Sequence, residues 1–422
     1  MLAGGALLHT SEHKFTDSVG FDGDRRGVGE ATRQAERIAA SSGWALAGEA
    51  QRDWIPNGNV SGLTTLRRAE PSHQLLPAAN MPRTRPDLSF RTGVASRRLV
   101  ICLACSMDDD APTEPYSPIY FFDLRRPQPW LYNEHDFVIP SLCLWRDPAW
   151  EGGRGIFVAL GEDGNVTLLD SPHKRERIQD AGLASASSKG YGYLNDIQQI
   201  GAHLYACGHA GQVYRRDGDD AWVHMDQGLL QDADADGARY FAQVINGPHE
   251  QAIYVAGSES SPGSPPRADF WDGQQWRRLP LPPTAGRITN IHVESEDRIL
   301  MCGANGTLLA GNARDGFVVL GAGGDAPLFT SVTKFGDAYY LGSNLGLFQL
   351  DATSTTASFT KVRTNLDPEL VDANIAQSAE DVLWSIGTKD IARFDGTSWE
   401  RFHHPNNPPI LPAKKPRKPR RR

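Results

Sequence analysis

The chain has 422 residues and a formal charge of −8, with 40% apolar and 22% charged side chains, a composition that excludes a wholly disordered or membrane-embedded protein. Gly and Pro together supply 70 residues, well above the roughly 12% of average usage. So many chain breakers exclude a coiled coil or a helical bundle, and five cysteines in this length exclude a disulfide-framed miniprotein.

Residues 1–87 read as an irregular N-terminal extension. GEATRQAERIAASS (29–42) has the composition of a helix, and the Asn-Gly, Pro-Ser and Met-Pro-Arg stretches beyond it read as loop. The first residues lack a basic region and a long apolar run, so no signal peptide is expected. No window of 18 apolar residues predicts a membrane span.

From about residue 88 the chain repeats. Six short apolar runs end in glycine: IFVALG at Gly161, LYACG at Gly208, IYVAG at Gly257, ILMCG at Gly303, YYLG at Gly342 and VLWSIG at Gly387. Their spacings are 47, 49, 46, 39 and 45 residues, a beat that unrelated segments would not keep. An apolar run precedes each glycine by about ten residues (SLCLW, LNDIQQI, YFAQVI, ITNIHV, FTSVTKF, ANIAQS), and two more follow it. Asn195, Asn290 and Asn374 each stand 13 residues before their glycine, which fixes the register. Four short strands per unit, joined by Gly, Asp and Asn turns, predict an all-β fold, a β-propeller. A less regular unit (RLVICLAC, PIYFFDL, PWLYNE) precedes the six and makes seven four-stranded blades over 88–404 the expected count; six plus an embellishment is the alternative. A segment between about residues 43 and 95 is the candidate for a ring-closing strand in the last blade. The recurring glycines are expected to end second strands with positive φ. Trp222, Trp276 and Trp399 recur at one blade position and are expected to pack between blades.

RRDGDDAWVHM, FWDGQQWRRL and RFDGTSWERF resemble the outer-strand signature of bacterial propellers grouped with WD40-, YVTN- and BNR-like repeat proteins. The resemblance covers about 300 residues and implies a fold; a fold hosts many functions. The sialidase Asp-box is echoed only in part, at Asp395 to Trp399, where Arg393 replaces its leading Ser.

Residues 405–422 form a Pro-rich tail, basic at its end and read as disordered. Seven of the last nine residues are Lys or Arg, which leaves the rest of the chain near −15. An acidic body favours a basic protein partner; nucleic acid is expected only weakly, through the tail. All five cysteines lie in strand-like runs, and Cys102 and Cys105 should face opposite sides of one strand. Free buried thiols suggest a reducing compartment, so a cytoplasmic location is expected.

Asp232, Asp234 and Asp236 open like a calcium loop, but Gln243 replaces the closing Glu, so they read as an acidic connector able to meet a basic partner. Asn195, Asp196, Asn290 and Asn374 mark the starts of innermost strands near the channel mouth, where turn chemistry and ligand contact are both open. His203, His209, His224, His249 and His292 lie in separate units, and His403-His404 is expected to be exposed. No metal motif, nucleophile elbow, phosphate loop or dinucleotide fingerprint stands out, so no catalytic residue, metal or cofactor is assigned. The leading expectation is a non-catalytic protein-binding propeller, monomeric on its own. Its concrete form is an immunity-type protein that neutralises a basic toxin. The alternative is a propeller enzyme, hydrolase or lyase, with its site at the channel mouth.

Overall fold

Short runs of β-branched and aromatic residues, each closed by Gly, Asp or Asn, can only form short antiparallel strands with tight turns. The computed structural model describes residues 87–411 apart from 109–114, 148–154, 233–237, 261–264, 284–285, 322–326 and 353–358, with strand pieces at 44–45, 67–68 and 76–77. The chain divides into two units, Met1–Pro71 and Ser72–Arg422. In the first, Trp44–Ala45 pairs antiparallel with Arg67–Arg68; the helix candidate at 29–42 lies outside the described residues.

The second unit is a seven-bladed β-propeller. Its innermost strands, for blades 1 to 7 in order, are Leu88–Arg97, Ser141–Trp145, Leu194–Ile200, Tyr240–His249, Ile288–Ser295, Phe329–Phe335 and Ile375–Ala379. Three further strands follow each in sequence, antiparallel and in spatial order. Blade 1 gains a fifth strand, Leu76–Pro77, on its outer strand Trp130–His135. Blade 7 takes its four strands from residues 375–402 alone. No helix among the described residues is long and apolar enough to cross a membrane.

The apolar core is divided into wedges, one at each of the seven junctions between neighbouring blades. This follows from strand periodicity: successive side chains of a second strand face opposite neighbours. Cys102 faces blade 2 and Cys105 faces blade 7. All five cysteines are free and buried. Burial pushes the Cys105 thiol far above its ordinary range and the Cys302 thiol up to about 12.

The repeat glycines recur in register for a reason other than backbone handedness. None of Gly161, Gly208, Gly257, Gly303, Gly342 and Gly387 has positive φ, which corrects the expectation. A Cβ on Gly257 would overlap the carbonyl oxygen of Phe241, and one on Gly303 that of Arg287. At Gly208, Gly257, Gly303 and Gly387 the segment entering the same blade lies directly on this position, and at Gly342 the segment entering the next blade does. The tryptophans do bridge blades: Trp222 Nε1 donates to Glu176 of blade 2, and Trp276 Nε1 to the carbonyl of Met225.

His404, expected at the surface, is buried at 2% exposure. Its ring lies edge-on to Tyr120 at 4.3 Å and Trp130 at 4.6 Å. Asn407 then bonds both backbone groups of Leu88, so the chain past residue 404 is tied to the start of the ring.

Candidate functional site: the channel and the connector face

In every blade, the turns between strands one and two and between three and four lie at one end. The turns between two and three lie at the other, with the connections to the next blade. We call this second end the connector face. The central channel opens there into a cavity of about 550 Å³ lined from all seven blades.

The structure brings Asn195, Asp196, Asn290 and Asn374 together in the lining of this cavity. Each is already engaged. Asn195 Nδ2 donates to the carbonyl of Ala242 in blade 4. Asn290 Oδ1 accepts from the Val332 N–H of blade 6 at 3.2 Å. Asn374 Nδ2 donates to Thr388 at 3.1 Å, and its carbonyl accepts from Thr330 of blade 6. Asp196 joins three blades: one oxygen accepts from Ser141 at 2.7 Å and from the Ile197 N–H at 2.9 Å, the other from the Ile245 N–H at 3.0 Å. Burial pushes its carboxyl above the ordinary range, and these donors offset that only in part. Ser331 and Gln377 repeat the device, accepting from the N–H groups of Ala376 and Ala95 in the next blades. These polar side chains satisfy inner-strand backbone groups that face the channel instead of another strand.

The remaining ionisable groups lining the cavity are Arg91, Arg287 and His292. Burial depresses the His292 imidazole. Among the described residues no hydrogen bond or ion pair joins Asp196, His292 and these arginines to one another, and no group of His, Cys, Asp and Glu is arranged to hold a metal. His203, His209 and His224 all belong to blade 3, which corrects the expectation of separate units, and His203 pairs with Glu250 while His224 pairs with Asp226.

Asp232 is exposed on the connection between blades 3 and 4, away from the channel set; Asp234 and Asp236 lie outside the described residues. The sequence reading passed over the apolar side chains of the same face. Val138, Leu183, Leu345 and Val371 are exposed at 38%, 51%, 50% and 74%, all on connector-face loops. Among the described residues, the loops of the opposite face carry no exposed large aliphatic side chain. An aliphatic residue in an otherwise small or polar loop, Leu183 in DAGLASASS and Val371 beside Leu370 in PELVDAN, was the signal available. Carboxylates surround these positions, among them Asp136, Glu162, Asp180 and Asp367.

The connector face is thus both apolar and acidic at its exposed loops. Over 252 residues the chain is 29% identical to the immune protein Tsi7 of Pseudomonas aeruginosa, covering 58% of this chain and 74% of that protein. It is similar to YCF48 from Cyanidioschyzon merolae, at 13% identity and TM-score 0.44, covering 63% of this chain and 84% of that one. It is also similar to the WD40 β-propeller domain of Doa1, at 9% identity and TM-score 0.47, covering 73% and 93%. The chain matches no protein-family model.

Proposed function

We propose that this protein is a non-catalytic, immunity-type propeller that binds a protein toxin and neutralises it. The observation that carries this reading is its similarity to an immune protein over 252 residues. The fold supports it, since propeller loops form a wide, rigid surface suited to recognition. The acidic balance, near −15 without the basic end, favours a basic toxin through complementarity and steering. The exposed Asp232 is part of the acidic surface such a toxin would meet, and Asp234 and Asp236, which follow it in sequence, would add to the same charge. Asn195, Asp196, Asn290 and Asn374 would contribute indirectly, by holding the channel rim in shape. We place the encounter in the cytoplasm, with the propeller monomeric before it binds.

The test is capture of partners from host lysate by the tagged full chain, at low and at high salt. A stoichiometric basic protein, lost at high salt, is expected. Its expression alone should arrest growth, and co-expression of this chain should restore it. Absence of a partner under both conditions, or a partner harmless on its own, overturns the reading.

A further inference from the structure

Blade 2 carries an unusual corner of the connector face, where three loops are knitted together around exposed apolar side chains. The Glu162 N–H donates to the carbonyl of Val138, and the Leu194 N–H to the carbonyl of Glu162. Asp163 Oδ1 accepts from the N–H groups of Leu183 and Ala184 at 2.7 and 3.1 Å. Arg177 Nη2 clamps the Asp163 carbonyl from below at 2.7 Å. A bridge between Gly182 and Gly192 and the Ser188 hydroxyl on the Gly182 carbonyl pin the base of the long loop. Val138 and Leu183 are therefore held outward by fixed backbone. An apolar side chain held in water gains only when another surface covers it.

Glu162 lies between these two loops, half-buried. Among the described residues its carboxylate has no cation or donor, and burial beside Asp163 raises its pKa. Asp136, Asp163 and Asp180 share the three loops with it, and Lys189 is their one base. A desolvated carboxylate between apolar side chains is complementary to a Lys or Arg whose own neighbours are apolar.

We infer that the Val138, Glu162 and Leu183 corner of blade 2 is the anchor point for the toxin, seating a basic side chain flanked by apolar surface. This rests on the immunity reading above and adds where the toxin docks and what chemistry it presents.

The test uses the partner captured by the wild-type chain, purified, with affinities measured by calorimetry. Leu183→Asp and Glu162→Lys should each weaken binding by about 30-fold or more, the loss expected of a hot-spot residue. Glu162→Gln should lose less than Glu162→Lys. Val318→Asp, at an exposed valine on the outer strand of blade 5, should bind within about threefold of wild type, as contacts outside a hot spot do. Equal thermal midpoints would show that the variants are folded. Wild-type affinity in both corner variants overturns this inference and leaves the immunity reading standing. A wild-type chain that captures no partner overturns that reading and this one with it. A wild-type dimer that Leu183→Asp converts to monomer assigns the corner to a second copy of the chain, and overturns the inference too.

Discussion

Burial holds the His404 imidazole down at about 3, among the rings of Phe90, Tyr120 and Trp130. The unfolded chain protonates this group below about pH 6.5, whereas the folded chain keeps it neutral to about 3. Stability therefore falls as pH drops through that window, by up to about 1.4 kcal/mol per unit. His404→Phe should flatten the dependence between pH 4.5 and 6.5, read from urea midpoints against wild type. His209 and His292, also depressed by burial, act in the same direction and His224 in the opposite one, so the difference between the two proteins isolates His404. At Gly257 a single added methyl meets backbone, which cannot rotate away. Gly257→Ala should cost about 3 kcal/mol in equilibrium unfolding. Gly316 has open space and φ +87, so Gly316→Ala should cost only the left-handed backbone penalty, about 1 to 2 kcal/mol.

Neighbouring blades are joined by polar ties as well as apolar wedges. Among the described residues the deepest ion pair is between Glu176, on the outer strand Lys174–Arg177 of blade 2, and Arg216, on the third strand Val213–Gly218 of blade 3. Both side chains are buried, the guanidinium is bidentate at 2.8 and 2.6 Å, and it also lies over Trp145. Arg216→Met alone leaves the buried carboxylate with the Trp222 indole and, at 3.9 Å, Lys174, and should cost about 3 kcal/mol; Glu176→Leu with Arg216→Met should recover most of that, since the pair's attraction offsets little beyond its own desolvation. Chemical denaturation of the three proteins checks it. Neither partner stands out in sequence, because their pairing depends on two blades meeting at one register. The strands themselves were legible, since each apolar run is local and closed by turn residues. Leu88–Arg97 was not: five of its ten residues are polar, and no repeat glycine closes the strand that follows it. The Asn positions were legible as a register mark, while the bonds of Asn195, Asp196 and Asn290 to the next blade were not, because their partners lie 47, 49 and 42 residues on. Leu183 and Val371 looked like ordinary loop residues, since exposure is a property of the assembled face.

The ring closes without borrowing a strand. Blade 7 meets blade 1 through an apolar wedge containing Trp384, Trp130, Tyr120 and Phe122. The Phe90 N–H donates to the Thr388 carbonyl, the Ala95 N–H to Gln377, and Arg98 pairs with Asp381 across the same seam. Trp384 is fully buried. Trp384→Ala should cost about 3 to 5 kcal/mol, and amide exchange should rise first in blades 1 and 7 while blade 4 stays protected. A rise spread evenly over all blades would show that the seam opens no sooner than the other junctions. His404 completes this seam, which no reading of residues so far apart in sequence could show. Because every blade is one uninterrupted stretch and Asn407 already touches Leu88, covalent order contributes little to what holds the circle together. The ends of the propeller could be spliced to each other and the chain reopened at another connection. The result would be a circular permutant with the same seven junctions and the same connector face.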